Sequence, residues 1–365
     1  MLAEKKAKNC EWLFILGYFF FLSYSLLIHI EILQGGVKFF GIIAIIVFLI
    51  CFISQINNFS NEEFVGLILL LVISFVFSMV NSYLLFFKTV LILMASKGVN
   101  VKRIIKFDFW IRIFLIIFVF VLWGIGVAPD VTFGHKDYVR HSFGFTGPNA
   151  LSSTVMILVF DFLYINGLKF KVSSLLFVLP IAILSNYYTK SRTGFYIIII
   201  ALFLSLIYTY RPKVFANRCV KAFICYSFIL CSIATYIIFI GYRNGNEWGE
   251  KINELLSQRL ERIEFFGRIF EVNLWGNNLA LTLKSLDNSY AFLLYGQGIL
   301  LFVVYALAST VLMKRLYQIG DMPLAVIMLL FFFFGISEML WLNSDANIFM
   351  IAYSFVLFRR KRHDD

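Results

Sequence analysis

Residues Trp12-Leu13-Phe14-Ile15-Leu16-Gly17-Tyr18-Phe19-Phe20-Phe21-Leu22-Ser23-Tyr24-Ser25-Leu26-Leu27-Ile28 include no charged side chain. A helix rises about 1.5 Å per residue, so this run approaches the roughly 30 Å hydrocarbon core of a bilayer. The preceding stretch, Met1 to Glu11, is basic through Lys5, Lys6 and Lys8, and no small-residue cleavage site follows. That pattern is a retained first anchor with a cytoplasmic N-terminus, not a removable signal peptide.

Apolar segments recur from this one to the end of the chain. They lie near 12–33, 39–53, 64–80, 82–96, 107–127, 150–166, 172–189, 194–210, 219–241, 289–312, 323–341 and 346–358. With 61% hydrophobic and 15% charged residues and a mean hydropathy of +0.86, the chain has too little polar surface for a soluble globule of 365 residues. Segments near 20 residues satisfy their own backbone as helices, whereas barrel strands would be about half as long. The expected fold is all-α: a polytopic membrane protein of about 12 transmembrane helices, residues 1–365 forming one integral membrane domain. A hairpin at Asn81-Ser82 and the short last span leave room for a re-entrant or fused helix.

Charge placement sets the expected orientation. Nineteen Lys and Arg fall in the pieces placed inside, including Lys97, Lys102, Arg103, Lys106 and the tail Arg359-Arg360-Lys361-Arg362. The short outer loops hold five: Lys38, Lys136, Arg140, Lys190 and Arg192. The positive-inside rule then puts both termini in the cytoplasm. The inner pieces hold eight acidic residues, and nineteen less eight is the formal net charge of +11, so the basic balance reports topology and not a nucleic-acid partner. Five cysteines in or beside apolar segments give no disulfide framework, and four histidines show no ligand spacing, so neither metal nor cofactor is expected. Within the spans Lys88 and Asp161 are the clearest buried charges, expected as a structural pair, and Arg112 is near enough to the inner boundary to snorkel.

Polar chemistry gathers in three outer pieces: 128–149, 187–194 and 242–288. The first ends in Arg140-His141-Ser142-Phe143-Gly144-Phe145-Thr146-Gly147-Pro148-Asn149, where Gly and Pro fix an irregular loop. The third contains an amphipathic stretch, Glu250 to Glu271, with apolar residues at Ile252, Leu255, Leu256, Leu260, Ile263, Phe266, Ile269 and Phe270. On one continuous helix Arg259 falls inside the apolar stripe, flanked by Leu255 and Ile263, and Arg262 falls at its edge. Lipid phosphate reached by snorkelling and a phosphate-bearing ligand gripped by the guanidinium fork are both open as partners. Arg140, Arg192 and Arg259 together suit an anionic ligand such as a lipid diphosphate, and His141 and Asp287 are the nominated bases, with Glu247 behind them. As ordinary alternatives, His141 is a surface hydrogen-bonder and Asp287 a helix cap.

These pieces in this order resemble a known family. Arg140 with Ser142, Gly144-Phe145 and Pro148-Asn149, then Ser191-Arg192-Thr193, Leu256-Ser257-Gln258-Arg259-Leu260, Leu274-Trp275-Gly276, Asp287-Asn288-Ser289-Tyr290, Gly296 and Gly298 are similar to the Wzy-type polysaccharide polymerases of the O-antigen polymerase and ligase superfamily. The resemblance covers roughly 140–300. Gly147 and Gln258 stand where many relatives have His and Gly, so no role for that histidine carries over. The resemblance implies a GT-C-like, metal-independent inverting glycosyltransferase in the bacterial cytoplasmic (inner) membrane, with its active site extracytoplasmic. Its substrates would be polyprenyl-diphosphate-linked oligosaccharides in the membrane lipid, and a flippase and a chain-length regulator its partners. By matching position, Arg140, Arg192, Arg259, Asn149, Asn288 and Tyr290 would bind substrate and diphosphate. The competing readings are the ligase branch, in which a histidine typically stands beside the Asn at the position of Asp287, and a lipid-linked oligosaccharide flippase or transporter.

Overall fold

The computed structural model describes residues 2–135, 138–282 and 285–358. Lys136 and the basic tail counted above lie outside the described residues. Most of the described residues are helical. Helices α1 (Leu2–Leu27), α2 (Glu31–Ser54), α3 (Asn61–Asn81), α4 (Leu85–Ala95) and α5 (Val101–Gly124) lead into a hairpin of β1 (Phe133–His135) and β2 (Tyr138–Arg140). There follow α6 (Pro148–Ile165), α7 (Val172–Thr189), α8 (Arg192–Tyr210), α9 (Lys213–Ala216), α10 (Arg218–Cys225) and α11 (Ser227–Arg243). The remainder holds α12 (Glu247–Leu255), α13 (Arg259–Ile269), α14 (Ser289–Ala291), α15 (Gly298–Ile319), α16 (Met322–Phe334) and α17 (Ser354–Leu357).

Among the described residues seven helices are long and apolar enough to cross a membrane: α1 from Cys10, α2, α3, α6, α7, α8 and α15. An eighth is possible if α10 and α11, bent by 70° at their junction, count as one span. This is the composition of a membrane-embedded protein. Helix α5 matches the others in length but carries Lys102, Arg103, Lys106, Asp108 and Arg112. The segments expected at 82–96, 323–341 and 346–358 form shorter apolar helices.

The chain packs as two compact units, each assembled from separated stretches. The first comprises Met1–Phe59, Leu91–Phe215 and Asp345–Ile351. Lipid tails are as apolar as phenylalanine, so packing here rests on fit and on polar pairs more than on escape from solvent. Phe48 of α2 takes edge contacts from Phe14 and Phe21 of α1, both centroids at 5.3 Å, and Gly17 lets the helices approach, since a Cβ there would lie 3.1 Å from the Phe48 ring. Helix α6 is buried on nearly every side from Leu151 to Phe160, as expected for a helix apolar all round. Gly194 at the start of α8 lies so near α6 that a Cβ would be 2.4 Å from the Ser152 hydroxyl.

Arg112 does not snorkel. It is 1% exposed and donates twice to Asp108 from Nη2, at 2.9 and 3.1 Å, and once from Nε. It also meets the Tyr18 hydroxyl at 3.2 Å and the Ala346 carbonyl at 3.0 Å. Asp161, expected as the partner of Lys88, has Arg112 as its ionic neighbour, Nε to Oδ2 3.7 Å. Hydropathy shows that a charge is buried but not which helix face it occupies, so Arg112 could not be read from the sequence as the neighbour of Asp161.

The second unit comprises Ser60–Val90, Ala216–Ser344 and Ala352–Asp365. Its centre is aromatic: Phe228 meets Tyr290 at 5.2 Å and Phe332 at 5.6 Å, and Phe332 meets Trp341 at 5.5 Å. The stretch 250–271 is not one amphipathic helix. Ser257 and Gln258 take positive φ, 56° and 61°, and divide α12 from α13. Asn253 drives the break, its Oδ1 accepting from Leu260 N at 2.9 Å while its carbonyl accepts from Gln258 N at 2.8 Å. An asparagine that offers the backbone a competing acceptor is a common way to interrupt a helix. Leu255, assigned to the apolar stripe, is consequently 65% exposed.

Candidate functional site

In the first unit the loop 128–149 is organised by Asp130. Its Oδ1 accepts from the backbone N–H groups of Ser142 at 2.8 Å and Phe143 at 2.9 Å, and its Oδ2 accepts from His141 Nδ1 at 2.6 Å. Carboxylate and imidazole form the arrangement that fixes a histidine's tautomer and leaves Nε2 to exchange a proton. The His141 ring stacks on Phe143 with centroids 5.4 Å apart, and its backbone N–H donates to Tyr188 O at 3.1 Å. Arg140 donates from Nε to the carbonyl of Thr189, the last residue of α7, at 2.8 Å and from Nη2 to Asn149 Oδ1 at 2.5 Å. A guanidinium at a helix C-terminus is favoured by the helix dipole. Arg192 is exposed on the first turn of α8, where that dipole attracts anions. The fold thus gathers Arg140, His141, Asn149 and the Arg192 turn around one end of α7.

His29 and Asp130 hold this loop, and sequence reasoning assigned a part to neither. His29 donates from Nε2 to Gly144 O at 2.6 Å, and its Nδ1 lies 3.1 Å from the Thr146 hydroxyl. Gly144, at φ 87°, presses on α5, where a Cβ would lie 3.1 Å from Val119, Trp123 and Ala128 atoms. Burial lowers the pKa of His29, outweighing the opposing pull of the Gly144 carbonyl. Burial of Asp130 works against its ionisation, but the hydrogen bonds from His141, Phe143 and Ser142 prevail and hold its pKa below the usual value.

Both depressed values give stability that is present at higher pH and lost on acidification. The His29 share declines as pH falls below about 6.5, and the Asp130 share below about 3.9. The protection factors of amides 141–146, their exchange rates measured against the intrinsic rates at each pH, should therefore fall in two stages as pH is lowered. His29→Gln should abolish the first stage, and an unchanged two-stage profile in that variant would remove His29 from the account.

In the second unit the polar cluster lies between α13 and the Asp287-Asn288-Ser289-Tyr290 stretch. Arg259 pairs with Glu338, Arg262 pairs with Asp287, and Arg259 Nε lies 3.9 Å from the same Asp287 carboxylate. Arg259 does face the protein body, as its spacing predicted, but it meets an acid supplied by the far end of the chain. Asn288 caps α14 by accepting from Ala291 N at 2.8 Å and donates to Ile336 O at 2.5 Å. Ser289 and Tyr290 donate to Glu338 O and Phe332 O at 2.5 and 2.7 Å. The polar atoms of Asn288 and Tyr290, expected to contact ligand, are engaged with Ala291 N, Ile336 O and Phe332 O. Asp287, expected as a base, is engaged by two guanidiniums.

Two further motif pieces meet in this unit. Gly276 and Gly298 face each other at φ 85° and 86°, and a Cβ on Gly298 would stand 2.4 Å from Gly276 N. Ile299 N and Leu300 N donate to the Asn273 and Leu274 carbonyls at 3.0 and 3.3 Å, so the glycines permit a backbone crossing.

Each cluster adjoins an apolar groove. In the first unit a groove of about 550 Å³ is lined by residues including Ile117, Phe120, Phe143, Leu151, Leu184 and Tyr188. In the second a groove of about 450 Å³ is lined by residues including Ile233, Tyr236, Ile263, Val272, Tyr290 and Phe302. Phe143 and Tyr188 touch His141, and Ile263 is one turn from Arg259. Among the described residues no three His, Cys, Asp or Glu side chains come together as a metal site. No family model, curated protein or solved structure matches the chain.

Proposed function

We propose that this protein polymerises polyprenyl-diphosphate-linked oligosaccharides at the outer face of a bacterial cytoplasmic membrane, as a GT-C-like glycosyltransferase of about twelve membrane passages. The observation that carries the reading is the pairing of guanidinium groups with an apolar groove, Arg259 and Arg262 beside Ile263 and Tyr290 in the second unit. An amphiphile with an anionic head and a long hydrocarbon tail needs both. Arg262, the more exposed arginine, is the point where a diphosphate would displace Asp287, exchanging a carboxylate for a doubly charged acceptor of matching geometry. Arg140 and Arg192 offer a second anion-attracting edge in the first unit, beside the other groove.

In the reaction the acceptor sugar hydroxyl attacks the anomeric carbon of the growing chain. The bond from that carbon to the diphosphate oxygen breaks with inversion, and polyprenyl diphosphate leaves with its charge spread over guanidinium. The hydroxyl proton passes to a base. In the first unit the candidate base is His141, held by Asp130 through Nδ1; in the second it is Asp287, beside Arg259 and Arg262. Arg268, paired on the surface with Glu264, has no part in this chemistry.

Purified protein given a polyprenyl-diphosphate-linked oligosaccharide alone should lengthen the glycan and release polyprenyl diphosphate. Transfer only to a different acceptor lipid would make it a ligase, and movement of the lipid between leaflets without bond formation a flippase. Orientation is tested in cells lacking the native cysteines. Asn246→Cys should react with an impermeant thiol reagent while Lys97→Cys should not, and the reverse would invert the topology.

A further inference from the structure

The polar cluster buried in the first unit carries more negative than positive charge. Asp108 and Arg112 on α5 and Asp161 on α6 place two carboxylates about one guanidinium, with Asp108, Asp161 and Arg112 at most 1% exposed. The partners divide unequally. Asp108 receives three contacts from Arg112, whose Nη2 also donates to the Tyr18 hydroxyl. Asp161 receives none: both of its carboxyl oxygens are buried without a hydrogen-bond partner, and its nearest cation, Arg112 Nε, is 3.7 Å away and turned to Asp108.

The Asp161 and Asp108 carboxyls flank the same guanidinium, at 3.7 and 2.9 Å from its nitrogens. Two ionised carboxylates cannot remain so placed in a low-dielectric interior, and an uncompensated charge inside a bilayer is costly. Among the described residues, the elements that pack on α6 place no further cation beside Asp161. Helix α7 has no ionisable cation, α8 offers only Arg192 at the Ser152 end of α6, about 13 Å along that helix from Asp161. Residues 345–351 contribute the Ala346 carbonyl to Arg112 and the further acid Asp345.

We propose that this cluster is a proton-binding site within the membrane-spanning part of the first unit, one proton being held by Asp161 and directed to Asp108. A metal cation is the poorer fit, since the Asp108 oxygens already face a guanidinium that would repel it. The proton completes the set. Asp108 gains one more donor, Asp161 gains a partner, and the cluster becomes a neutral Asp–Arg ion pair with a carboxylic acid against it. This inference does not depend on the polymerase reading.

Infrared spectroscopy of the purified protein at neutral pH tests it. The wild-type protein should show the C=O stretch of a protonated carboxylic acid, reduced by one group's intensity in Asp161→Asn. Asp161→Asn should also keep the wild-type melting temperature, because an amide N–H can take the place of the acid's O–H. Should that variant not fold, Asp161→Glu supplies the assignment through a shift of the same band. Spectra of wild type without that band, or with a band indifferent to residue 161, would overturn the proposal. So would a melting temperature that rises with added Na⁺ in wild type but not in Asp161→Asn, which would make the site's cation a metal.

Discussion

Arg259→Ala should cost about 3–5 kcal/mol of stability, the usual penalty for stranding one member of a buried ion pair. The side chains of Arg259 and Glu338 are only 7% and 11% exposed, so alanine leaves the Glu338 carboxylate with little water to replace the lost guanidinium. Thermal unfolding in detergent measures the effect, and Glu338→Gln in the same chain should restore most of it by removing the stranded charge. Arg268→Ala, which disrupts a surface pair, should melt within a degree or two of wild type, since exposed pairs contribute little. If Arg259→Ala melted as wild type does, the Arg259–Glu338 pair would not be holding α13 to the α16 end.

The second large effect concerns the chemical step. In a polymerisation assay at matched amounts of folded protein, His141→Ala should lose about 10² to 10⁴ in rate, the range attributable to a positioned general base. Asp130→Asn should lose less, because the imidazole stays but its tautomer is no longer dictated by an anion. Asp287→Asn is the discriminating comparison. Its carboxylate is engaged by Arg262, so the amide should weaken substrate capture more than it slows turnover. A dead Asp287→Asn enzyme that still binds substrate, beside an active His141→Ala, would transfer the base to Asp287.

Membrane character, helix content and the places where polar chemistry collects were legible in the sequence, because hydropathy and Gly/Pro punctuation are local properties. So was the inward aim of Arg259. What escaped was partnership at long range. Glu338 lies 79 residues beyond Arg259, and His29 reaches Gly144 across 115. No periodicity encodes such pairings. The break at Ser257-Gln258 escaped for the opposite reason: the apolar spacing continues across it, and only Asn253 betrays that the backbone turns.

The first unit is closed by its last short piece, Asp345–Ile351, and this imposes an order of events on biosynthesis. Arg112 waits for a carbonyl 234 residues downstream. At about 5–20 residues per second the ribosome needs roughly 10 to 50 s to supply it. Once α6 has been made, at Ile165, α1, α5 and α6 are all present for the rest of that interval, yet a charged cluster at their junction lacks one of its permanent neighbours. The nascent protein must therefore pass through an incomplete intermediate whose buried guanidinium is served by water, lipid headgroups or insertion machinery. A premature stop before Ala346 would leave that state as the end product, and both units would be unfinished because neither is contained in an uninterrupted part of the chain.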